Sequence, residues 1–579
     1  MKEILRKMNR LLDRKQKNTM CLLILMMFVG AVLQTLGIGL LVEVVKIAVD
    51  PEAVKNSRLV GMAYKWVGSP EFSLFSAGIM ALLAVTFLVK NLFLYLQLKA
   101  TYAFVYTNQF RTSERMMRNY LRRRYEYYLN ADTAVVQRNI TSDVNNMYAL
   151  ILCMLQLTSD GVMSLFVVSY CFWQNGMLML IMAVVMILLM LIVKKVLKPI
   201  MYKAGKDNQD YYSGLFKWIS QTVQGMKDVK ISGKESYFVE EYKKCGKGYV
   251  DAVQKYSLYN SIPKLLMETA CVATMMIYMI IQVLQGAPTE TLMEAISTIG
   301  AAAFVLLPAV NRINNQINSM AYFEPFFMGV ADNLQDEISG EKVDFTDFEK
   351  PVDKMPVKKE ILLKDISYAY PNSDKLIFDH ANLEVQVGKS VGIVGTTGAG
   401  KSTVVDIMLG LLDLKEGEVL ADGKNVMDNY RGWLMNVGYI PQMSFMLDAT
   451  IRENVAFGVA KDKIDEDRVW EVLREAQLEE FVKSLPEGLE TSIGERGIRL
   501  SGGQRQRISI ARALYDDPEV LILDEATSAV DNDTEAAIME SINHFQGKKT
   551  LLIIAHRLQT IEKCDVVYRV QNGKILQER

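Results

Sequence analysis

Residues 391–403 have the sequence VGIVGTTGAGKST. The apolar, β-prone residues Val391, Ile393 and Val394 predict a strand, and residues 403–412 predict a helix. The loop between them has the pattern G-x-x-x-x-G-K-S, whose glycines let backbone N–H groups wrap phosphates at a helix N-terminus. This order of strand, loop and helix predicts a phosphate-binding site in an α/β domain. The candidate binding residues are Gly395, Thr396, Thr397, Gly398, Ala399, Gly400, Lys401, Ser402 and Thr403.

A second apolar stretch, residues 520–523, predicts a buried parallel strand that ends in Asp524 and Glu525. An Asp at such a strand end can hold Mg²⁺ together with Ser402, while Lys401 reaches the β- and γ-phosphates of a nucleotide. Glu525 is placed to polarise an attacking water. The alternative is a solvated acidic pair, but two carboxylates directly after a buried strand favour a site.

A third apolar stretch, residues 551–554, predicts a core strand that leads into Ala555 and His556. His556 is one of only three histidines in the chain. A lone histidine is more often structural, but this one follows a core strand beside the predicted site. We therefore count it among the candidate catalytic residues.

The segment Leu500-Ser501-Gly502-Gly503-Gln504 resembles, letter for letter, the signature of ABC-type ATPases, and it stands about 20 residues before Asp524. The resemblance extends over the soluble half and implies that the chain binds ATP. It implies that Tyr370 stacks on adenine, that Gln442 senses Mg²⁺ and contacts the membrane half, and that His556 is a switch. It also assigns a loop that senses the cytoplasmic helices to Glu495 and a loop that joins paired sites to residues 528–531.

The same resemblance implies a dimer. In this family ATP lies between the phosphate loop of one subunit and the signature of the other, so Ser501, Gly502 and Gly503 would meet the γ-phosphate at a helix N-terminus. One chain cannot close a site, and a homodimer would have two competent ones. Closure on ATP and release on hydrolysis imply alternating access.

Length and composition predict more than one domain. The 579 residues are 50% apolar and 23% charged, with a net charge of −1, which excludes a disordered chain and indicates no nucleic-acid partner. The six cysteines show no metal-ligand spacing. We expect an all-α six-helix transmembrane domain at 1–330, a linker at 331–357 and an α/β P-loop nucleotide-binding domain at 358–579.

The membrane half contains six apolar stretches near the length of roughly 20 residues that a span requires. They lie near 20–42, 74–98, 148–173, 177–194, 265–284 and 293–311. Basic residues before the first span, after the second and after the fourth place those segments, and the nucleotide-binding domain, in the cytoplasm. The resemblance to bacterial proteins described below implies the bacterial inner membrane.

Two polar stretches, 99–147 and 195–260, favour helices that continue beyond the bilayer and could transmit a conformational change; ordinary loops are the alternative. Residues 51–68 have the pattern of an amphipathic helix with Trp66 and basic residues, suited to the outer membrane surface. The alternative is a helix packed on protein.

Three cations, Lys90, Lys264 and Arg312, fall at a similar level toward the inner leaflet. Around a dimer axis they would suit a phosphate or pyrophosphate headgroup. The alternative is snorkelling, or pairing with Glu268 and Asp160.

The membrane half also resembles the PglK-like lipid-linked oligosaccharide flippases, at residues 198–205, 261–264 and 307–312 and in the external helix. Two of the matching positions hold Lys where Arg is expected, which keeps the charge but loses bidentate geometry. The resemblance implies a polyprenyl-pyrophosphate-linked glycan as substrate and membrane lipids as partners. The rival hypotheses are an exporter of lipid, peptide or amphiphilic drug on the same scaffold, and a non-transporting membrane protein whose ATP sites only gate or sense. The six spans exclude a soluble ABC ATPase of DNA or translation, and an importer is disfavoured because importers usually place the two halves on separate chains.

Overall fold

The computed structural model describes residues 2–49, 64, 66, 72–174, 176–286, 289–334, 351–371, 373–525, 538–540, 542–555 and 561–579. The chain divides into two units. One consists of Met1–Leu121 with Ala131–Val343, and the other of Arg122–Asn130 with Asp344–Arg579. The second unit therefore includes a short segment from the N-terminal half of the sequence.

The N-terminal half is built of α-helices, four of which are more than twice the length that a membrane span requires. A π-helical turn lies at Asn139–Asp143, between two of these helices. The helices are α1 (Lys2–Leu11), α2 (Arg14–Val49), α3 (Phe72–Arg122), α4 (Tyr125–Asn130), α5 (Thr133–Arg138), α6 (Val144–Gln174), α7 (Gly176–Gln224), α8 (Met226–Ser232), α9 (Glu235–Leu284) and α10 (Thr289–Asn333).

Among the described residues, five segments are long and apolar enough to cross a membrane: Arg14–Gly37, Ser73–Arg122, Thr133–Ser169, Leu180–Gln224 and Glu235–Leu284. The first five predicted spans overlap them, with 74–98 and 265–284 lying wholly inside and the other three extending a few residues beyond, and the sixth lies in α10. The apolar window of α3 leaves large side chains such as Leu88 and Leu92 exposed, as expected of a surface that faces lipid.

The helical extensions predicted for 99–147 and 195–260 are present, because α3, α7 and α9 continue well past their apolar segments. They are not continuous, however. The first is interrupted on both sides of α4. The second is broken at α8, which is capped at its C-terminus by Gly233 in the left-handed conformation (φ +61°). Of the amphipathic helix predicted at 51–68, only Tyr64 and Trp66 belong to the described residues.

Close packing between α7 and α10 depends on Gly205. A Cβ atom at this position would lie 2.0 Å from the carbonyl oxygen of Tyr322, so any side chain would force the helices apart. Tyr322 also stacks on Tyr256 of α9 with ring centroids 4.1 Å apart. The Tyr256 hydroxyl lies 2.9 Å from Ser319 Oγ. These contacts join α7, α9 and α10 into one packed group.

The described residues of the second unit form two sheets. The strands are β1 (Glu360–Tyr368), β2 (Phe378–Gln386), β3 (Ser390–Gly395), β4 (Glu416–Ala421), β5 (Lys424–Asn425), β6 (Val437–Ile440), β7 (Val520–Asp524), β8 (Thr550–Ile554), β9 (Val566–Gln571) and β10 (Lys574–Gln577). β1, β2, β4 and β5 form an antiparallel sheet in the order β2-β1-β4-β5, and the other six strands form a sheet in the order β10-β9-β3-β8-β7-β6. The helices of this unit are α11 (Lys401–Met408), α12 (Tyr430–Leu434), α13 (Ile451–Val455), α14 (Glu466–Glu475), α15 (Glu479–Ser484) and α16 (Gly502–Tyr515).

The strands β3, β6, β7, β8 and β9 run parallel, and only β10 is antiparallel to its neighbour. The strands predicted at 391–394, 520–523 and 551–554 are confirmed as β3, β7 and β8. The carboxyl ends of parallel strands meet at one edge of a sheet, which is where ligands bind in open α/β folds. The segments that follow β3, β6 and β7 therefore converge there.

Candidate functional site

The glycine-rich loop leaves β3 and enters α11 through Gly400, which has a φ of +106°. A Cβ atom at Gly400 would lie 2.9 Å from Ile377 and 3.0 Å from Phe378, so both conformation and space require glycine. The side chain of Lys401 is only 5% exposed and folds back over the loop. Its Nζ donates to the carbonyl oxygens of Gly395 (3.3 Å) and Thr396 (3.5 Å). The ammonium group is thus held within the concave face of the loop.

The acidic pair lies beside this loop. Asp524 is the last residue of β7, and its Oδ1 accepts from Ser402 Oγ at 3.1 Å. Its Oδ2 accepts from the Tyr439 hydroxyl at 3.4 Å. A hydroxyl and a carboxylate oxygen so close together match the hard oxygen ligands that Mg²⁺ prefers. The residues present therefore fit a magnesium ion.

Glu525 adopts a left-handed backbone conformation (φ +50°), which is strained for a residue with a side chain and which occurs often at functional sites. Its backbone N–H donates to the carbonyl oxygen of Ile554 at 3.2 Å. Oε2 accepts from Gln442 Nε2 at 2.9 Å, and Oε1 lies 3.8 Å from Lys401 Nζ. The candidates Lys401, Ser402, Gln442, Asp524 and Glu525 are therefore brought together.

Negative charge accumulates at this edge of the sheet. Burial, followed by the neighbouring charge of Glu525, raises the pKa of Asp524. Burial, followed by the charge of Asp524, raises the pKa of Asp406 in α11 to about 6. Both carboxylates are therefore more stable when a cation or a proton compensates their charge.

Tyr370 lies next to the start of α11. Its hydroxyl is 2.9 Å from Thr403 Oγ1, and its ring meets that of Tyr368 edge to face at a centroid distance of 5.3 Å. The ring remains 36% exposed. An exposed ring fixed at its hydroxyl end provides a surface on which a planar base can stack.

The signature segment forms the start of α16. Ser501 is the N-cap, and its Oγ accepts from the backbone N–H of Gln504 at 3.2 Å. Gln504 Oε1 in turn accepts from the Ser501 N–H at 2.8 Å, which completes a capping box. Ser501 and Gly502 are exposed, while Ile508 and Ala511 further along the helix are buried. The side-chain oxygen of Gln504 thus serves the helix itself, and the helix start is accessible.

Other predicted residues are less informative. Glu495 begins a 3₁₀ turn, Glu495–Gly497, in which Arg496 has a φ of +56°. His556 and the segment 528–531 lie outside the described residues.

The three membrane cations have separate neighbours. Lys90 Nζ lies over the Phe87 ring, 4.0 Å from its centroid, and Lys264 is exposed on α9. Arg312 Nε donates to Asp160 Oδ1 at 2.9 Å, the pairing considered above as an alternative. In the part of the chain that the structure describes, no hydrogen bond or ion pair joins the three cations to one another.

Three functional candidates escaped the sequence analysis. The segment α4 belongs to the nucleotide unit, where Tyr368 Oη donates to Glu126 Oε1 at 3.3 Å and Arg124 pairs with Asp413. The aromatic run directly after Arg122-Arg123-Arg124 was the only local signal. Tyr439 and Asp406 become relevant only through their proximity to Asp524 across the sheet.

Both halves of the chain are similar in sequence to known proteins. Residues 378–528 match the ABC transporter family and residues 19–300 match the ABC transporter transmembrane region. The ATP-dependent lipid A-core flippase of Desulfotalea psychrophila is 30% identical over 463 residues, which are 79% of this chain and 78% of that protein. The chain belongs to the ABC transporter family. It is a half-exporter, in which a helical membrane domain is fused to an α/β P-loop ATPase that couples ATP hydrolysis to transport.

Other relatives support the same assignment. The exporter is 31% identical over 466 residues to the uncharacterized ABC transporter ATP-binding protein YwjA of Bacillus subtilis, over 78% of this chain and 77% of that one. A solved structure of a bacterial Atm1-family ABC exporter with ATP bound matches with a TM-score of 0.76 at 21% identity, over 97% of this chain and 94% of that chain. That likeness shows the fold of the exporter.

Proposed function

We propose that this exporter is a homodimeric flippase of a bacterial inner membrane that moves an amphiphile with a pyrophosphate headgroup, a polyprenyl-pyrophosphate-linked oligosaccharide, from the inner to the outer leaflet. The observation that carries the ATPase part is the joined set of Lys401, Gln442 and Glu525 beside Asp524 and Ser402. Each charged group already has the neighbour that the reaction requires.

In the proposed reaction, Lys401 turns from the loop carbonyls to the β- and γ-phosphates of ATP. Glu525 accepts a proton from the attacking water. The amide of Gln442 holds the Glu525 carboxylate in place by a hydrogen bond. Ser402, Asp524 and Gln442 would hold Mg²⁺, which when bound neutralises phosphate charge. Tyr370 stacks on the adenine, and His556 acts as the switch residue.

The exposed start of α16 supports the dimer. Its orphan backbone N–H groups and the Ser501 hydroxyl lie at the positive end of a helix, where an anion is stabilised. We propose that Ser501, Gly502 and Gly503 of one copy contact the γ-phosphate of ATP bound to a second copy. Each nucleotide would then hold two chains together until it is hydrolysed.

The substrate proposal rests on cations within the membrane helices and on relatives named as lipid A-core flippases. Charged groups at this depth are costly and usually serve function. Arg312 remains 48% exposed even when paired with Asp160, so it can still contact a headgroup. The alternative is an exporter of another lipid, a peptide or an amphiphilic drug.

Neutralising the cations decides between these substrates. Lys90, Lys264 and Arg312 are changed together to Gln in nanodisc-reconstituted protein, and translocation and ATPase activity are measured against a panel of lipid-linked glycans. We expect transport of the pyrophosphate lipid to be lost while basal ATPase activity remains. The matched control changes Lys194, Lys195 and Lys198, three exposed cations of α7, to Gln and should retain transport. Unimpaired transport by the first variant would exclude a charged cavity.

A further inference from the structure

The ion pair between α6 and α10 has a third member. Asp160 Oδ1 accepts from Arg312 Nε at 2.9 Å, and Asp160 Oδ2 accepts from Gln316 Nε2 at 3.0 Å. Arg312 and Gln316 are four residues apart on α10, so they lie on one face of the helix. Both oxygens of a single carboxylate are therefore occupied by side chains from the neighbouring helix.

The two charged partners differ in accessibility. The side chain of Asp160 is 13% exposed and that of Arg312 is 48% exposed. The bond to Asp160 uses Nε, the guanidinium nitrogen attached to the aliphatic part of the side chain. Nη1 and Nη2 form the outer edge, and two parallel N–H groups on one edge match two oxygens of a phosphate. An incoming anion can thus reach Arg312 without displacing the carboxylate beneath it.

We propose that Asp160 is a positioning residue for substrate recognition: with Gln316, it fixes the guanidinium of Arg312 so that its outer edge faces the phosphate groups of the transported lipid. This inference rests on the proposed function, because it assumes an anionic headgroup. It assigns a role to a residue that contacts the substrate only through Arg312. An arginine held by a hydrogen bond at Nε loses less rotamer freedom when it binds than a lysine would.

Further buried polar atoms lie on the same two helices as the Asp160–Arg312 pair. Ser164 Oγ, Asn311 Oδ1 and Asn315 Oδ1 are buried near it, and none has a hydrogen-bond partner among the described residues. Ser164 is one turn from Asp160 on α6, and Asn311 and Asn315 flank Arg312 and Gln316 on α10. Together with Asp160, Arg312 and Gln316, these groups make this part of the contact between α6 and α10 polar rather than apolar.

The hydrogen-bond arrangement provides a discriminating substitution. Gln316 Oε1 is also buried without a partner in the described residues. In Asp160→Asn the amide oxygen can still accept from Arg312 Nε, and its NH₂ can donate to Gln316 Oε1 after the Gln316 amide turns over. Asp160→Asn therefore preserves the position of Arg312 and removes only the charge. Asp160→Ala removes both.

The experiment measures equilibrium binding of farnesyl pyrophosphate to the full-length protein in nanodiscs, with farnesol as the uncharged probe. We expect Asp160→Ala to weaken farnesyl pyrophosphate binding by about tenfold or more, as for loss of an oriented charge-assisted hydrogen bond. Asp160→Asn should bind as tightly as the parent or more tightly, and farnesol binding should change in neither. Glu268→Gln, which removes an acidic charge from α9, is the matched control and should bind as the parent does.

The outcomes separate this inference from the proposed function. If Arg312→Ala binds farnesyl pyrophosphate as the parent does, the anionic substrate class and the role of Asp160 both fail. If Arg312→Ala loses binding but Asp160→Ala does not, only the role of Asp160 fails. Tighter binding in both Asp160 variants would make Asp160 a competitor of the phosphate, and equal loss in both would contradict positioning through the hydrogen bond. Should Asp160→Ala not fold, Gln316→Ala replaces it and should weaken binding by roughly threefold or more, since the carboxylate loses its second anchor.

Discussion

At the scale of the residue, Glu525 is held in an unusual position. Its left-handed backbone and its contacts with Gln442 and Lys401 fix the carboxylate at the mouth of the phosphate loop. These constraints cost stability and are maintained by the surrounding sheet. They are explained if Glu525 must meet one water molecule in one geometry.

Replacing Glu525 by Gln tests this role. The amide has nearly the same shape but cannot take a proton, so ATP should still bind while hydrolysis falls by about 10²- to 10⁴-fold. ATP turnover and nucleotide retention on the purified variant measure both effects. Glu519→Gln, at an exposed position just before β7, is the control and should turn over ATP normally. Unchanged hydrolysis by Glu525→Gln would refute the assignment.

Asp406 permits a test of the electrostatics that is independent of turnover. Burial and the nearby charge of Asp524 raise its pKa from the ordinary 3.8 to about 6. The folded state therefore binds this proton more strongly than the unfolded state does. At neutral pH the ionised carboxylate lowers the free energy of unfolding, and this loss disappears as the pH falls from about 6 to about 4. Asp406→Asn should raise the Tm of the nucleotide-binding domain by a few degrees at pH 7.5 and by less at pH 5.

Asp422 provides the opposite case. Although burial opposes it, hydrogen bonds from the backbone N–H groups of Lys359, Lys358 and Glu360 hold its pKa below the usual range. Its contribution to stability is present above the ordinary pKa and is lost as the pH falls through the folded value. Asp422→Asn should therefore lower the Tm at pH 7.5. Scanning calorimetry of both variants checks the two signs, and a shift of the same sign in both would contradict the account.

At the scale of the element, the start of α16 combines a cap with a predicted contact to the second copy. Ser501→Ala removes the cap and should cost about 1 kcal/mol. Ser501→Asp keeps a good cap but places a negative charge where the γ-phosphate of the second copy is predicted to lie. We expect Ser501→Asp to melt like the parent and to lose ATPase activity almost completely. If Ser501→Asp retained full activity, the capped end of α16 would not face a phosphate.

The element α4 is joined to the nucleotide site by a short chain of contacts. Tyr368 donates to Glu126 of α4 and packs on Tyr370, whose hydroxyl meets Thr403. A segment that follows directly after a membrane helix is thereby linked, through Tyr368, to the ring of Tyr370, which is predicted to stack on adenine. We predict that substrate binding stimulates hydrolysis through this chain of contacts.

Tyr368→Phe removes only the hydroxyl group that donates to Glu126. Basal ATPase activity should persist, while stimulation by transported substrate should fall by about half or more, because a hydrogen bond of this kind contributes about 1 kcal/mol. Tyr568→Phe removes another tyrosine hydroxyl, which donates to the Glu384 carbonyl at 3.0 Å, and should leave stimulation intact. Equal stimulation in both variants would exclude this route. Nanodisc ATPase assays with and without lipid substrate provide the comparison.

At the scale of the whole molecule, the sequence predicts the strands and loops that are determined by a local pattern of residues. The strands β3 and β7 are marked by short apolar runs, and the loop that ends at Lys401 is marked by its glycines. The structure places all three at the predicted positions. The grouping of α4 with the nucleotide unit was missed, because it depends on contacts between residues far apart in sequence. The sequence left open whether the three cations form a charged cavity or pair with Glu268 and Asp160, since Asp160 lies 152 residues from Arg312. The raised pKa of Asp406 arises only once α11 packs beside β7.

In the proposed dimer, two copies of the chain close each ATP site. The most direct measurement mixes two differently tagged chains without native cysteines, both carrying Glu525→Gln, one with Ala399→Cys in the phosphate loop and the other with Ser501→Cys at the signature. If the sites are shared, adding ATP and a mild oxidant should yield a disulfide between the unlike chains, and omitting ATP should abolish it. Shared ATP sites are excluded if ATP produces no such link, or if the reconstituted exporter hydrolyses ATP at its full rate as a monomer.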